Sequence, residues 1–335
     1  MLKPFLVDVP VRVNIWIRPE CQRKQFEVLK KARPSIIFLQ SDGGRNEKEW
    51  AAIYANRKIF EEEIDWECTV HKIYETENQG LYAMGRKVAD YIWARVDRCI
   101  FLEDDHIPSV SFFQYCAELL EKYKDDMRID CICGMNHLGE SPDVTADYFF
   151  SRQGSIWGTA TWRRAAEMRD RTFAYGQDPY ALKLLEQRAR HNPKFIKRAK
   201  AYAKQTHYEG HVAGTEFFRE FAMYGYNQLQ IIPKVNMISC IGATADAAHS
   251  SVLEKMPRGI RKVFNMKTYE MAFPMKHPIC VMPDIEYEKR RNRIMAYNMP
   301  LVSLYRSFEA KLILLKRGEF MSWIKKKMAG RKLEK

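Results

Sequence analysis

Apolar and polar positions alternate between two periods along this chain, and the alternation predicts its elements. VRVNIWI (11–17) reads as a strand, ECQRKQFEVLKKA (20–32) as a helix with Phe26, Leu29 and Ala32 at helical spacing, and SIIFLQ (35–40) as a second strand. Two strands joined by a helix form a right-handed parallel crossover. GLYAMGRKVADYIWARV (80–96) then reads as a helix that feeds a short apolar run, Cys99–Leu102, of the kind found in strands buried on both faces. SFFQYCAELLEKY follows as a helix with Phe112, Phe113, Cys116, Leu119, Leu120 and Tyr123 on one side, and RIDCICGM (128–135) as a strand.

From residue 147 the pattern is less regular. DYFFSR reads as a strand, Trp157-Gly158 as a turn, and Trp162 as the start of a helix. Basic helices over 181–205, helix EFFREFAMYG (216–225), strand QLQIIP (228–233) and loop ISCIGATADAAHS (238–250) complete the body. The fold class predicted is α/β, a mostly parallel central sheet flanked by helices. The division expected is one body over 1–285 and a basic, amphipathic helical tail over 286–335.

Composition narrows the class. A chain of 335 residues can bury one large core or two modest ones. No stretch approaches the roughly eighteen apolar residues of a membrane helix, and MLKPFLVDVPVRV is no signal peptide, so a cytoplasmic location is expected. Eight cysteines stand singly with no CxxC pair, which fits reduced core thiols better than disulfides or zinc. The net charge of +13 calls for a negative partner and is concentrated in 181–205 and from Lys289 to Lys335. Charged helix faces are often simply solvated. The tail MPLVSLYRSFEAKLILLKRGEFMSWIKKKMAGRK, however, mixes Leu, Ile, Phe, Met and Trp323 with basic residues, as in a helix lying peripherally on an anionic membrane surface.

The chemistry points to CIFLEDDHIPS (99–109). An apolar run ends abruptly at Glu103, Asp104 and Asp105, and in open α/β sheets ligands bind outside the carboxyl ends of strands. Carboxylates there are hard oxygen ligands that can hold Mn²⁺ or Mg²⁺ against a substrate pyrophosphate. The competing reading is an acid cluster that caps the helix SFFQYCAELLEKY. In SDGGR, after the second strand, the glycines permit close backbone approach to a ligand.

Five ordered segments carry a resemblance: Arg18-Pro19 after the first strand, the SDGG turn, FLEDDHIPSVSFFQY, IWGTATWRRA, and IIPKVNMISCIGATADAAHS. Over residues 10 to 280 the chain resembles GT-A-fold glycosyltransferases, nearest to N-acetylglucosaminyltransferase I and its bacterial relatives. The resemblance implies a Rossmann-like sheet, with Arg18 and Asp42 helping to bind a uridine nucleotide. It also implies that Glu103 faces the donor sugar, Asp104 the nucleotide, and that Asp105 coordinates a Mn²⁺ (or Mg²⁺) cofactor bridging the phosphates. Local roles compete: Arg18 as a helix-capping neighbour, Asp42 as a turn former.

The relatives carry a catalytic base in a W-D-x-x-W type segment ahead of P-x-x-N. Here Thr215-Glu216-Phe217-Phe218 stands in that place, so Glu216 replaces the family's Asp, against a purely local helix-start role; Asp178 and Asp246 are the alternatives. Trp157 reads as a wall of the sugar or acceptor pocket, or as a core aromatic. The loop from Gly242 to His249 corresponds to one that closes over the donor. His249 would touch pyrophosphate or metal, or be an ordinary loop histidine. The function implied is inverting transfer from a UDP-sugar, such as UDP-N-acetylglucosamine or a related hexose donor, to a hydroxyl of a glycan or glycolipid acceptor. Bacterial surface polysaccharide or lipopolysaccharide synthesis is the setting.

Two other classes compete. A sugar-phosphate nucleotidyltransferase needs a glycine-rich loop after its first strand, and IWIRPECQRK has no glycine. A non-enzymatic basic adaptor for membrane or nucleic acid leaves the strand-end acids unexplained. No nucleic-acid motif is present, so no nucleic-acid partner is expected.

Overall fold

A computed structural model of the chain describes residues 2–205, 212–243 and 253–324. Strand β1 (Val7–Ile15) leads through helix α1 (Pro19–Ala32) to β2 (Pro34–Ser41), and α2 (Glu47–Glu62) to β3 (Thr69–Tyr74). Helix α3 (Leu81–Trp93) returns to β4 (Arg98–Leu102), followed by β5 (His106–Pro108), α4 (Ser111–Lys122), β6 (Ile129–Cys133), β7 (Tyr148–Ser151), β8 (Thr159–Trp162) and α5 (Arg163–Glu167). A helical excursion of α6 (Pro179–Arg188), α7 (Pro193–Ala203) and α8 (Thr215–Tyr226) precedes β9 (Leu229–Pro233) and β10 (Ile238–Cys240). The short α9 (Arg258–Arg261), then α10 (Ile285–Met295) and α11 (Pro300–Lys316), come last.

The main sheet has the order β3-β2-β1-β4-β8-β6-β9-β7, with β8 and β7 antiparallel to their neighbours and the other pairs parallel. This is the α/β class the pattern predicts. Val9, Val11, Val13 and Ile15 of β1 are fully buried in one core with Phe26 and Leu29 of α1 and Phe112, Phe113 and Leu119 of α4. On the opposite face Phe38, Ile73 and Cys99 pack under Met84, Val88 and Ile92 of α3. β1 alternates, with Asp8, Arg12 and Asn14 between its valines, whereas β2 and β4, buried on both faces, carry nearly continuous apolar runs; each fully buried apolar side chain contributes about 1.5–3 kcal/mol.

Register then places the chemistry. Val13 of β1 pairs with Leu39 of β2 on one side and Leu102 of β4 on the other, so β4 ends at this pair and β1 and β2 two residues beyond it. The residues that follow them, Trp16–Arg18, Asp42 and Glu103–Asp105, leave the sheet along one edge. The chain builds outward from β1 to β2 and β3, then adds β4 on the other side of β1. The gap between β1 and β4 is therefore the topological switch point, where a sheet of this class opens a ligand crevice.

Three departures from the pattern matter. Trp162 does not open a helix: Thr159–Trp162 is a strand between β4 and β6, antiparallel to both, and the helix starts at Arg163. Its Thr-Ala-Thr run is buried, Thr161 Oγ1 donates to the Asp130 carbonyl (2.7 Å), and the Trp162 indole N–H is satisfied by the Leu120 carbonyl (2.9 Å). Within the expected loop 238–250, Ile238–Cys240 forms a two-stranded antiparallel sheet with β5. Helix α2 and strand β3 also fill a stretch the periodicity leaves unassigned.

Helix α10, which begins at Ile285, packs on edge strand β7. Tyr287 is buried edge-on to Phe149, and Glu288 pairs with Arg152 at 2.5 Å. All eight cysteines are free thiols, six of them buried.

Candidate active site

The acidic turn is clamped from beneath. Gln25 of α1, fully buried, donates from Nε2 to the carbonyls of Glu103 and His106, both at 2.7 Å. His106 Nδ1 accepts the backbone N–H of Glu103 and of Gly158, both at 3.1 Å. Two fixed donors on Nδ1 put the ring proton on Nε2, and Nε2 lies 3.6 Å from Asp105 Oδ1. Burial lowers the His106 pKa despite the opposing pull of Asp105 and Glu103, so the ring is neutral.

Each acid has a different partner. Glu103, partly exposed, accepts from Arg12 Nη2 (2.8 Å) and Asn14 Nδ2 (3.1 Å), which stand two residues apart on β1. Burial raises its carboxyl pKa, but the Arg12 charge and these hydrogen bonds more than offset that and hold it below the usual range. Asp104 is buried with both oxygens on Arg18, at 2.8 Å to Nε and 2.6 Å to Nη2. Burial pushes its carboxyl up to about 6, against the pull of the guanidinium. Asp105 Oδ2 accepts from Arg18 Nη1 at 2.9 Å, and the same Nη1 reaches the Gly242 carbonyl at 3.3 Å. Burial opposes the Arg18 charge, yet Asp104 and Asp105 hold its pKa above the ordinary value. One guanidinium thus joins residues 18, 104, 105 and 242.

Asp105, His106 and Cys240 bring possible ligand atoms within 4.8 Å of one another. As a three-residue cage the set does not suit a hard cation: His106 Nε2 carries a proton, and Cys240 is a buried thiol whose pKa burial drives well up. Mg²⁺ and Mn²⁺ need less, since such ions are held by one or two carboxylates and by substrate phosphates. Asp105 fits that mode through Oδ1, which lies off the Arg18 contact made by Oδ2.

The other predicted residues are distributed as follows. Asp42 accepts from the backbone N–H of Gly43 (2.8 Å), Gln79 (2.8 Å) and Gly80 (2.9 Å) and from Asn78 Nδ2 (3.3 Å), so it pins the 78–80 loop ahead of α3. The SDGG glycines approach the protein's own chain rather than a ligand: a Cβ on Gly43 would stand 2.3 Å from the Glu77 carbonyl carbon, and one on Gly44 2.9 Å from Trp50. Trp157 is half-buried with its ring centroid 4.9 Å from that of Phe264.

Glu216 is exposed in the first turn of α8. Its Oε2 and the Tyr82 ring both crowd Gly214, within 3.2 and 3.3 Å of where a Cβ would be. Because Tyr82 follows the loop that Asp42 holds, Glu216 lies toward the same edge of the sheet. Asp178 caps α6 by accepting from Tyr180 N–H (2.8 Å), a local role. His249 and Asp246 lie outside the described residues. Sequence reasoning did not single out Arg12, Asn14, Gln25 or His106 as site-forming; the signal was Arg and Asn two apart among the valines of β1. A cavity of about 370 Å³, lined by Asp8, Ile36, Arg95, Arg98 and Arg163 among others, sits at the opposite edge, where β1, β2 and β4 begin.

No family model matches the chain, and no curated protein matches it in sequence. Among solved structures, it is similar to a mannosyltransferase from Pyrobaculum calidifontis in complex with GDP-Man and Mn²⁺: TM-score 0.35, 9% identity, 66% of this chain and 72% of that one. It is also similar to a UDP-glucose pyrophosphorylase complexed with UDP-glucose, with TM-score 0.25, 10% identity, and coverage of 44% and 64%. A third is the apo-form glycosyltransferase GlyE of Streptococcus pneumoniae, with TM-score 0.27, 9% identity, and coverage of 91% and 64%.

Proposed function

We propose that this chain is a glycosyltransferase that moves a sugar from a UDP-sugar to a hydroxyl of a glycan or glycolipid acceptor, with inversion. The observation that carries the reading is the meeting of Asp104 and Asp105 with the Arg18 guanidinium at the sheet's switch point, between β1 and β4. Two carboxylates around one guanidinium leave the mouth net negative, so it suits a diphosphate that arrives together with a divalent cation.

In this reading Arg18 binds and orients the diphosphate, and Asp104 keeps its guanidinium in place. Asp105 would hold the divalent cation, which when bound supplies Lewis-acid neutralisation of the departing phosphates. Glu103, fixed by Arg12 and Asn14, faces the donor sugar, and Asp42 serves the nucleotide side through the 78–80 loop it pins. Trp157 offers a flat apolar wall to a pyranose ring. The acceptor oxygen attacks the anomeric carbon as the bond to the phosphate oxygen breaks and UDP leaves. Glu216 takes the hydroxyl proton from the opposite side, a contribution of about 10²–10⁴ in rate.

Titration calorimetry with UDP, Mn²⁺ and the two together tests the reading. UDP should bind tightly only with Mn²⁺ present, and Asp105→Asn should remove the metal dependence. Absence of nucleoside-diphosphate binding under every condition would sink the transferase assignment. Equal UDP affinity with and without Mn²⁺ in the wild type would remove the cation from it.

A further inference from the structure

Helix α11 rests on the body through a mixed side, where Val302, Ala310, Ile313 and Leu314 are half-buried beside Ser303, Arg306 and Glu309. Arg306 donates to the carbonyls of Arg293 and Ile294, Ser303 Oγ donates to the Ala296 carbonyl (3.3 Å), and Glu309 accepts the Arg258 backbone N–H (3.1 Å). Just beyond the helix, Glu319 pairs with Lys255 and Arg317 with Glu254. None of its residues is buried. Leu301, Leu304, Tyr305, Phe308, Leu312 and Leu315 recur at helical spacing and form one stripe about 100° wide, and all six are exposed, Leu301 at 82% and Phe308 at 60%. A surface helix ordinarily turns such a stripe to the core. Here the stripe faces outward, and six large apolar side chains in one row exceed the scattered exposure that needs no explanation.

Charge says what covers it. Helical spacing puts Lys311 and Lys316 along the two borders of the stripe, both exposed. Residues 286–335 hold fourteen Lys and Arg against five acids, nine of the chain's thirteen net positive charges, and Lys325, Lys326 and Lys327 follow directly in sequence. Pairing two copies of this chain through the stripe would bring those charges together, whereas an anionic bilayer compensates them. Among the described residues no helix is long and apolar enough to cross a membrane. We infer that α11 lies in the plane of an anionic lipid surface, its stripe at the boundary of headgroups and acyl chains and its lysines reaching the phosphates. This inference does not depend on the transferase reading.

Flotation of the full chain with vesicles tests it. The protein should float with vesicles of phosphatidylcholine containing about one third phosphatidylglycerol and stay behind with phosphatidylcholine alone. Leu304→Glu with Phe308→Glu should lower binding at least about tenfold, since both insert charge into the stripe. Lys311→Gln and Lys316→Gln should each weaken it about fivefold, the effect expected of one basic residue near an anionic surface. Circular dichroism melts should be unchanged in all four substitutions, because the four side chains replaced are all exposed. Failure of the wild type to float would overturn the inference, as would equal flotation of the Leu304→Glu/Phe308→Glu protein. A dimer by light scattering that this double variant splits, without vesicle binding, would also overturn it in favour of self-association.

Discussion

A methyl group on Gly242 would stand 1.7 Å from Oδ2 of Asp105 and 2.4 Å from Nη1 of Arg18. The chain after β10 therefore rests directly on the ion pair, a close approach that only a residue without Cβ allows. Gly242→Ala should push Asp105 and Arg18 apart and lower UDP affinity in the presence of Mn²⁺ at least about tenfold, or about 1.4 kcal/mol. Calorimetry beside a thermal melt separates this from unfolding, and unchanged affinity would place the nucleotide elsewhere.

Gly43 faces backbone, which cannot turn aside: its Cβ would lie 2.3 Å from the carbonyl carbon of Glu77 and 2.6 Å from the carbonyl oxygen. Gly43→Ala should force the 77–80 loop away and break the amide contacts of Asp42, at a cost of about 1–3 kcal/mol. A urea midpoint equal to that of the wild type would show that the two turns move together freely.

His106→Phe removes the acceptor of two buried N–H groups, those of Glu103 and Gly158. Each unsatisfied donor costs about 1–3 kcal/mol, so a loss of several kcal/mol is expected in denaturant unfolding. In the wild type, ¹⁵N spectra should show the ring protonated at Nε2 alone. A proton on Nδ1 would contradict the hydrogen bonding of the turn.

Glu216→Gln should leave UDP binding nearly intact while turnover falls at least about a hundredfold, the loss expected when a general base is removed. UDP release from a panel of nucleotide sugars measures it. Wild-type turnover in this variant would strike Glu216 from the mechanism.

Both halves of the sheet are legible to the same extent: β1, β2 and β4 on the site side and β6, β7 and β9 on the other are read as strands, while β3 and β8 are not. β2 and β4 are parallel strands covered on both faces, so they appear as apolar runs, β1 shows instead as valines alternating with polar residues, and the abrupt change to acid after Leu102 marks where β4 ends. Thr159–Trp162 is hidden because it is only four residues long, and its two threonines are polar although buried, so Thr-Ala-Thr after Trp157-Gly158 has no apolar signature. The helix α2 escaped notice because only one of its sides is buried among several charged residues, Glu49 and Arg57 among the buried ones. The acids themselves were found from local sequence; their partners were not. Arg18 meets Asp104 across 86 positions and Gly242 across 224, distances over which only the folded register, not spacing, decides contact.

The single side chain of Arg18 also acts as a latch among three distant segments. Were it removed, as in Arg18→Ala, oxygens on Asp104, Asp105 and the Gly242 carbonyl would be uncovered together. Two acids and the peptide leading out of β10 would then lose their common countercharge together, so one side chain sets the charge balance of all three segments.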